Sequence, residues 1–151
     1  MPTKNTVARK PITDRERHRR NEAIARFLGF RKYSELGMEK PLLFAKYRNL
    51  YYLHTNPDET KRSYPATPVD ELPFDSSYDW VMTTLEAIER LGYSSSLTFG
   101  MHGGEKDMHL CAISSTKILF MVVCRAQSRE KLEAVWLAVS DFAINENKKN
   151  A

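Results

Sequence analysis

The densest group of chemistry-bearing side chains in this 151-residue chain is His102-Gly103-Gly104-Glu105-Lys106-Asp107, followed by His109. Two imidazoles and a carboxylate form a ligand set that could hold zinc. The same residues sit between two apolar alternating runs, where Gly, Asp and Lys are the ordinary residues of a hairpin tip, so a turn is the expected role. A phosphate loop is excluded there, because neither a Lys-Ser/Thr pair nor a helix start follows the glycines. Glu86 and Glu89 could pair as acid and base, but they fall one turn apart on an expected solvent face with no sign of a pocket. Ser94-Ser95-Ser96 has no neighbouring base and no elbow motif. These patterns yield no catalytic residue, no metal ligand and no cofactor, and the chain is expected not to be an enzyme.

Charge gives a different signal. Residues 1–32 hold ten Lys/Arg against Asp14, Glu16 and Glu22, a net of +7, while the other 119 residues hold 13 basic against 16 acidic, a net of −3. The +4 of the whole chain therefore originates at its N-terminus. Arg15, Arg19 and Arg26, spaced by four and seven residues on a helix, could line a stripe that tracks phosphates, with Arg9 and Lys10 in a preceding arm and Arg20 beside them. The competing reading is a solvated helix and a polar tail. It is favoured by the acidic remainder of the chain, by Asp14 and Glu16 close to the arginines, and by the lack of any named nucleic-acid-binding module.

Only two cysteines occur, Cys111 and Cys124, each inside an apolar run and without metal or redox spacing. Both are expected as free, buried thiols. No apolar run approaches the roughly 20 residues that span a bilayer, and the N-terminus has no apolar signal core, so a cytoplasmic protein is expected.

The elements that must carry these residues centre on Phe74 to Gly92. Trp80, Val81, Thr84, Leu85, Ala87, Ile88 and Leu91 recur at steps of three and four, with Asp79, Thr83, Glu86 and Arg90 opposite, which predicts an amphipathic helix. Asp75, Ser76 or Ser77 can cap its start, and Gly92 can end it in the left-handed conformation. Upstream, residues 1–12 are polar, basic and broken by Pro2 and Pro11, as in a mobile arm. Thr13 to Glu16 has the form of a capping box opening a helix that Gly29 ends. The first half of that helix, RERHRRN, is expected to face solvent. Its second half, with Ala23, Ile24, Phe27 and Leu28, is expected to dock.

Between Phe30 and Pro73 the signal is poor. Leu42 to Phe44 and Tyr47 to Leu53 are candidate irregular strands, Asn56-Pro57-Asp58 a turn, and Pro65, Pro68 and Pro73 keep the approach to the central helix non-helical. Three strands should follow that helix: around Leu97 to Met101, Met108 to Ile113, and Lys117 to Cys124. Their short connections at Gly103 to Asp107 and Ser114 to Thr116 require antiparallel neighbours, and the third, apolar on both faces, should be covered on both sides. Ser128 is placed to cap a last helix with Leu132, Val135, Trp136, Val139, Phe142 and Ala143 on one stripe. Residues 145–151 should fray. The expected fold is α+β, a small three-stranded antiparallel meander packed with three helices, on one face or both. Its domain runs over 13–147, with a tail at 148–151 and with Trp80 and Trp136 in the core.

The segments Asn21 to Gly29, Ser76 to Met82 with Ile88-Glu89, and Lys131 to Val139 resemble short uncharacterised proteins encoded by phages and prophage-like elements of gut bacteria, a group similar to the phage ABA-sandwich domain. The resemblance covers the first helix and roughly 74–142. It implies helices around a small sheet and a mobile-element origin, and it carries over no functional residue. Together with the residues it leads to two expectations. The first is a non-catalytic accessory or interaction protein with an unknown protein partner. The second is a nucleic-acid-binding protein using residues 1–32.

Overall fold

A computed structural model describes residues 11–32, 50–53, 67–68, 71–118 and 121–151; Arg9, Lys10, Leu42 to Phe44, the Asn56-Pro57-Asp58 turn and Pro65 lie outside them. Helix α1 spans Asp14–Phe27, with the Glu16 amide donating to Thr13 Oγ1 at 3.2 Å and with Gly29 at φ +89° beyond its end. Strands β1 (Phe30–Lys32), β2 (Leu50–Leu53) and β3 (Thr67–Pro68) form a small antiparallel sheet. A 3-10 turn at Pro73–Asp75 then leads into helix α2, Tyr78–Arg90. Pro73 thus opens a helical turn where an extended approach was expected. Pro suits this position because its missing N–H would have had no partner in a first turn.

The main sheet is the expected meander. Strands β4 (Tyr93–His102), β5 (Glu105–Ser115) and β6 (Val122–Ser128) lie antiparallel in that order, and helix α3, Lys131–Lys149, follows. Gly103 and Gly104, at φ +59° and +79°, make the two-residue β4–β5 turn, the double positive φ that matches the twist of a tight hairpin. Residues directly opposite across a ladder share a face. Leu97, Cys111 and Ala126 therefore look the same way, as do Ser95, Ile113 and Cys124. Cys111, Ile113, Cys124 and Ala126 are buried in one cluster with Val81, Leu85 and Ile88 of α2 and with Val135, Trp136, Val139 and Phe142 of α3. Both helices thus lie on the same face of the sheet, and α1 packs on α3. The opposite face carries exposed Ser96, Thr98, Val123 and Arg125.

The third strand begins at Val122 rather than Lys117. Amide bonds from Met121 to the Ile118 carbonyl (2.7 Å) and from Ser115 to the Met121 carbonyl (2.8 Å) fold the start of the apolar run into the connection. Cover on both sides is absent there, since Val122 and Val123 are 50% and 38% exposed. The last helix is capped at Glu130, and Ser128, still in β6, accepts the Glu130 amide and donates to the Glu133 carboxylate. That helix runs to Lys149, through the segment expected to fray, and Asn147 Nδ2 donates to the Ala23 carbonyl at 2.9 Å. Ile12 packs against the core although it falls within the expected arm.

The side chains of Asp75, Ser76 and Ser77 do not cap α2. Asp75 turns instead to Asn21 and Arg17 of α1. Of the two tryptophans, Trp136 is buried, whereas Trp80 is half-buried between Phe74 and Phe30 at ring distances of 5.2 and 6.2 Å.

Candidate functional site

The hairpin that gathers His102, Glu105, Lys106, Asp107 and His109 does not bring its two imidazoles together. His102 Nε2 lies 3.2 Å from Thr98 Oγ1, just past a register shift between Gly100 and His102. His109, opposite Phe99 and Ser128, lies on the helix face with its ring 4.6 Å from that of Phe99. Among the described residues no group of three His, Cys, Asp or Glu could hold a metal ion. Of the helical carboxylates, Glu86 is exposed and Glu89 accepts from Ser95 Oγ at 2.7 Å, which ties the end of α2 to β4.

The basic residues of α1 divide by face. Arg15 is exposed, Arg19 is 63% exposed with Nη1 3.8 Å from Glu16, and Arg26 has Nε 3.6 Å from Glu22. These three share the stripe expected from their spacing. Arg20 does not belong to it. Its side chain is 16% exposed, Nε meets Glu16 at 2.8 Å, and Nη1 reaches both Ser140 Oγ and Asp141 Oδ1 at 2.7 Å. Its guanidinium also stands 5.8 Å from the Trp136 ring centre. Arg17 likewise bridges Asp14 and Asp75 at 2.9 and 2.8 Å. The first half of α1 is thus partly an interior surface, contrary to the expected solvent projection.

The reason lies one residue on. Asn21 is 2% exposed; its Nδ2 donates to the Leu72 carbonyl and to Asp75 Oδ1, both at 2.9 Å, and its Oδ1 accepts from Trp136 Nε1 at 2.8 Å. One amide therefore joins α1, the 3-10 turn and α3 and satisfies the buried indole. A signal for it exists in the sequence: Asn21, Ile24, Ala25 and Leu28 fall at i, i+3, i+4 and i+7, so the Asn sits on the apolar stripe. A groove of about 510 Å³ opens beside this network, lined by Arg20, Leu137 and Asp141 on the helices and by Arg125, Gln127 and His102 on the sheet. Arg20 and Asp141 on its wall are committed to each other.

Exposed apolar side chains form the other notable surfaces. Leu97, Phe99 and Met101 of β4 are 40%, 62% and 64% exposed. Ile118, Met121, Val122 and Val123 are exposed around the start of β6, beside a cavity of about 540 Å³ lined by Tyr93, Cys124 and Phe142. Alternation alone places Leu97 and Phe99 on the core face but does not say how far the helices reach. Element lengths do: the 13 residues of α2 span about 20 Å. The ten residues of β4 span about 33 Å, so the strand overhangs its helix.

Both cysteines are free and buried. Burial pushes the Cys111 thiol up to about 11. Cys124 is also raised, by burial and then by the Asp141 charge, against lowering by an Asn145 hydrogen bond and Lys149. Such thiols are poor nucleophiles. No helix of the described residues is long and apolar enough to cross a membrane. No family model, curated protein or solved structure matches the chain.

Proposed function

We propose that this protein is a non-catalytic accessory or interaction protein of a phage or other mobile element, working in the cytoplasm by binding a protein partner. The observation that carries this reading is the exposed apolar surface of the sheet and its β5–β6 connection, Leu97, Phe99 and Met101 at one end and Ile118, Met121, Val122 and Val123 at the other. Apolar side chains grouped in this way mark interaction surfaces more often than those scattered singly. The mobile-element origin rests on the resemblance of the helical segments alone. A tagged wild-type protein recovered from its native host during phage induction is expected to retain a partner that Phe99→Lys or Val123→Lys releases, with the melting temperature of each variant unchanged. Identical recovery by wild type and both variants would remove the apolar surface from the proposal.

A second reading, nucleic-acid binding, is favoured by Arg15 and Arg19, exposed one turn apart on α1 at the basic end of the chain. Arg9 and Lys10 would extend the stripe and Arg26 would continue it. Arg20 is left out, because Glu16, Ser140 and Asp141 hold its guanidinium.

A further inference from the structure

We propose that β4 is a self-pairing edge through which two copies of this chain join their main sheets into one six-stranded antiparallel sheet. The proposal rests on the interaction reading above, in taking exposed apolar surface as interface, and it goes further by naming the occupant of one surface. Among the described residues β4 has a single strand neighbour, β5. An edge strand presents unpaired N–H and C=O groups, and proteins ordinarily protect a long one with charged side chains, Pro or brevity. Tyr93 to His102, YSSSLTFGMH, is ten residues long and contains no Lys, Arg, Asp, Glu or Pro.

Leu97 and Phe99 stand on the core face, as the ladder pairs of Leu97 with Cys111 and Phe99 with His109 show, and yet are 40% and 62% exposed. A two-fold axis through Thr98 sets Leu97 of one copy opposite Phe99 of the other, twice, and extends the apolar layer across the joint. On the other face Thr98 then meets Thr98, and Ser96 meets Gly100. Charge points to the same occupant. Because the edge is neutral, a second copy brings no like charge opposite any residue of β4, whereas a charged partner strand would find no counter-charge there.

The area sets the size class of the interface. The exposed parts of Leu97, Phe99 and Met101 come to roughly 700 Å² over two copies, and the strand backbone with Ser96 and Thr98 raises the total to about 1,000 Å², the lower limit for a specific interface. An interface of this size belongs to the reversible rather than the obligate class.

Sedimentation velocity on the full chain between about 1 and 500 µM is expected to show wild type moving from monomer to dimer. Phe99→Lys should remain monomeric throughout, with an unchanged circular dichroism spectrum. Thr98→Cys, which puts a thiol on the two-fold axis, should cross-link to a covalent dimer under mild oxidation, while wild type, whose own thiols are buried, should not. If Phe99→Lys fails to fold, Leu97→Thr and the Thr98→Cys cross-link carry the test. Wild type that stays monomeric to the top of the range overturns the proposal. So does a dimer that survives Phe99→Lys and does not cross-link through position 98. A monomeric wild type that still loses a host partner in Phe99→Lys would overturn the second copy as occupant while leaving the interaction reading intact.

Discussion

Asn21 shows how one side chain can fix the relation of three elements. Its three hydrogen bonds reach the 3-10 turn and Trp136 from the middle of α1. Asn21→Ala removes them together and leaves the buried indole N–H without an acceptor, so a loss of about 2 to 4 kcal/mol is expected from unmade buried hydrogen bonds. Trp136→Ala should cost about 3 to 5 kcal/mol, and Trp80→Ala distinctly less, because Trp80 is only half-buried. Chemical denaturation of the three variants measures the order, and a Trp80 variant as destabilised as the Trp136 variant would contradict it. The thiols give a pH prediction. With Cys111 raised to about 11, the unfolded chain ionises first as pH passes about 9 and the folded chain follows only near 11. Its contribution is therefore fully present below about pH 9 and lost as pH rises toward 11, with an upper bound of about 2 to 3 kcal/mol on the loss. Cys111→Ala should flatten the fall in melting temperature over that window, and both native thiols should label slowly in the folded protein and quickly in denaturant. A fall of equal depth in Cys111→Ala would assign it to other groups.

At the scale of elements, α1 divides into a face that supports the fold and a face that does not. Replacing Arg15 and Arg19 with Ser should leave the melting temperature nearly unchanged, since exposed charges of this kind contribute little. Arg20→Ser should lower stability by about 1 to 3 kcal/mol, because it removes charge-assisted bonds to Glu16 and Asp141. Equal melting temperatures for the two variants would place Arg20 in solvent with the others. This division was not legible from charge, which groups Arg20 with its neighbours, whereas the position of Asn21 on the apolar stripe was visible. Periodicity placed α2, the meander and α3, because their apolar repeats reflect burial against one core. It failed at Lys117 to Val123, where an uninterrupted apolar run resembles a buried strand and yet partly serves as a connection. It also could not reveal that α2 and α3 share a face, or that β4 outruns α2, since both depend on the packing of elements rather than on their own sequences. The small sheet of β1 to β3 pairs segments far apart in the chain, and short strands of this kind carry almost no local pattern.

For the whole molecule, charge and apolar surface lie in different places. The basic excess belongs to residues 1–32, and the most exposed large apolar side chains, Phe99 and Met101, belong to the sheet. A nucleic-acid contact and a protein contact would therefore use separate surfaces and can be tested independently. If the arm and α1 bind nucleic acid, affinity comes from neutralising phosphates and releasing their counterions, so it should depend little on sequence and fall steeply with salt. On duplex DNA the log-log slope should be roughly −0.9 per phosphate contacted. Deleting residues 1–12 removes Arg9 and Lys10 but also Ile12, which packs on the core, so truncation after Lys10 is the cleaner variant. Combined with Arg15→Ser and Arg19→Ser, it should abolish binding with little change in melting temperature, while Phe99→Lys should leave binding intact. Electrophoretic shift or fluorescence anisotropy at low salt, with duplex and single-stranded DNA and with RNA, measures this directly. A wild-type protein that shifts none of them would eliminate the phosphate stripe and leave the interaction reading proposed above.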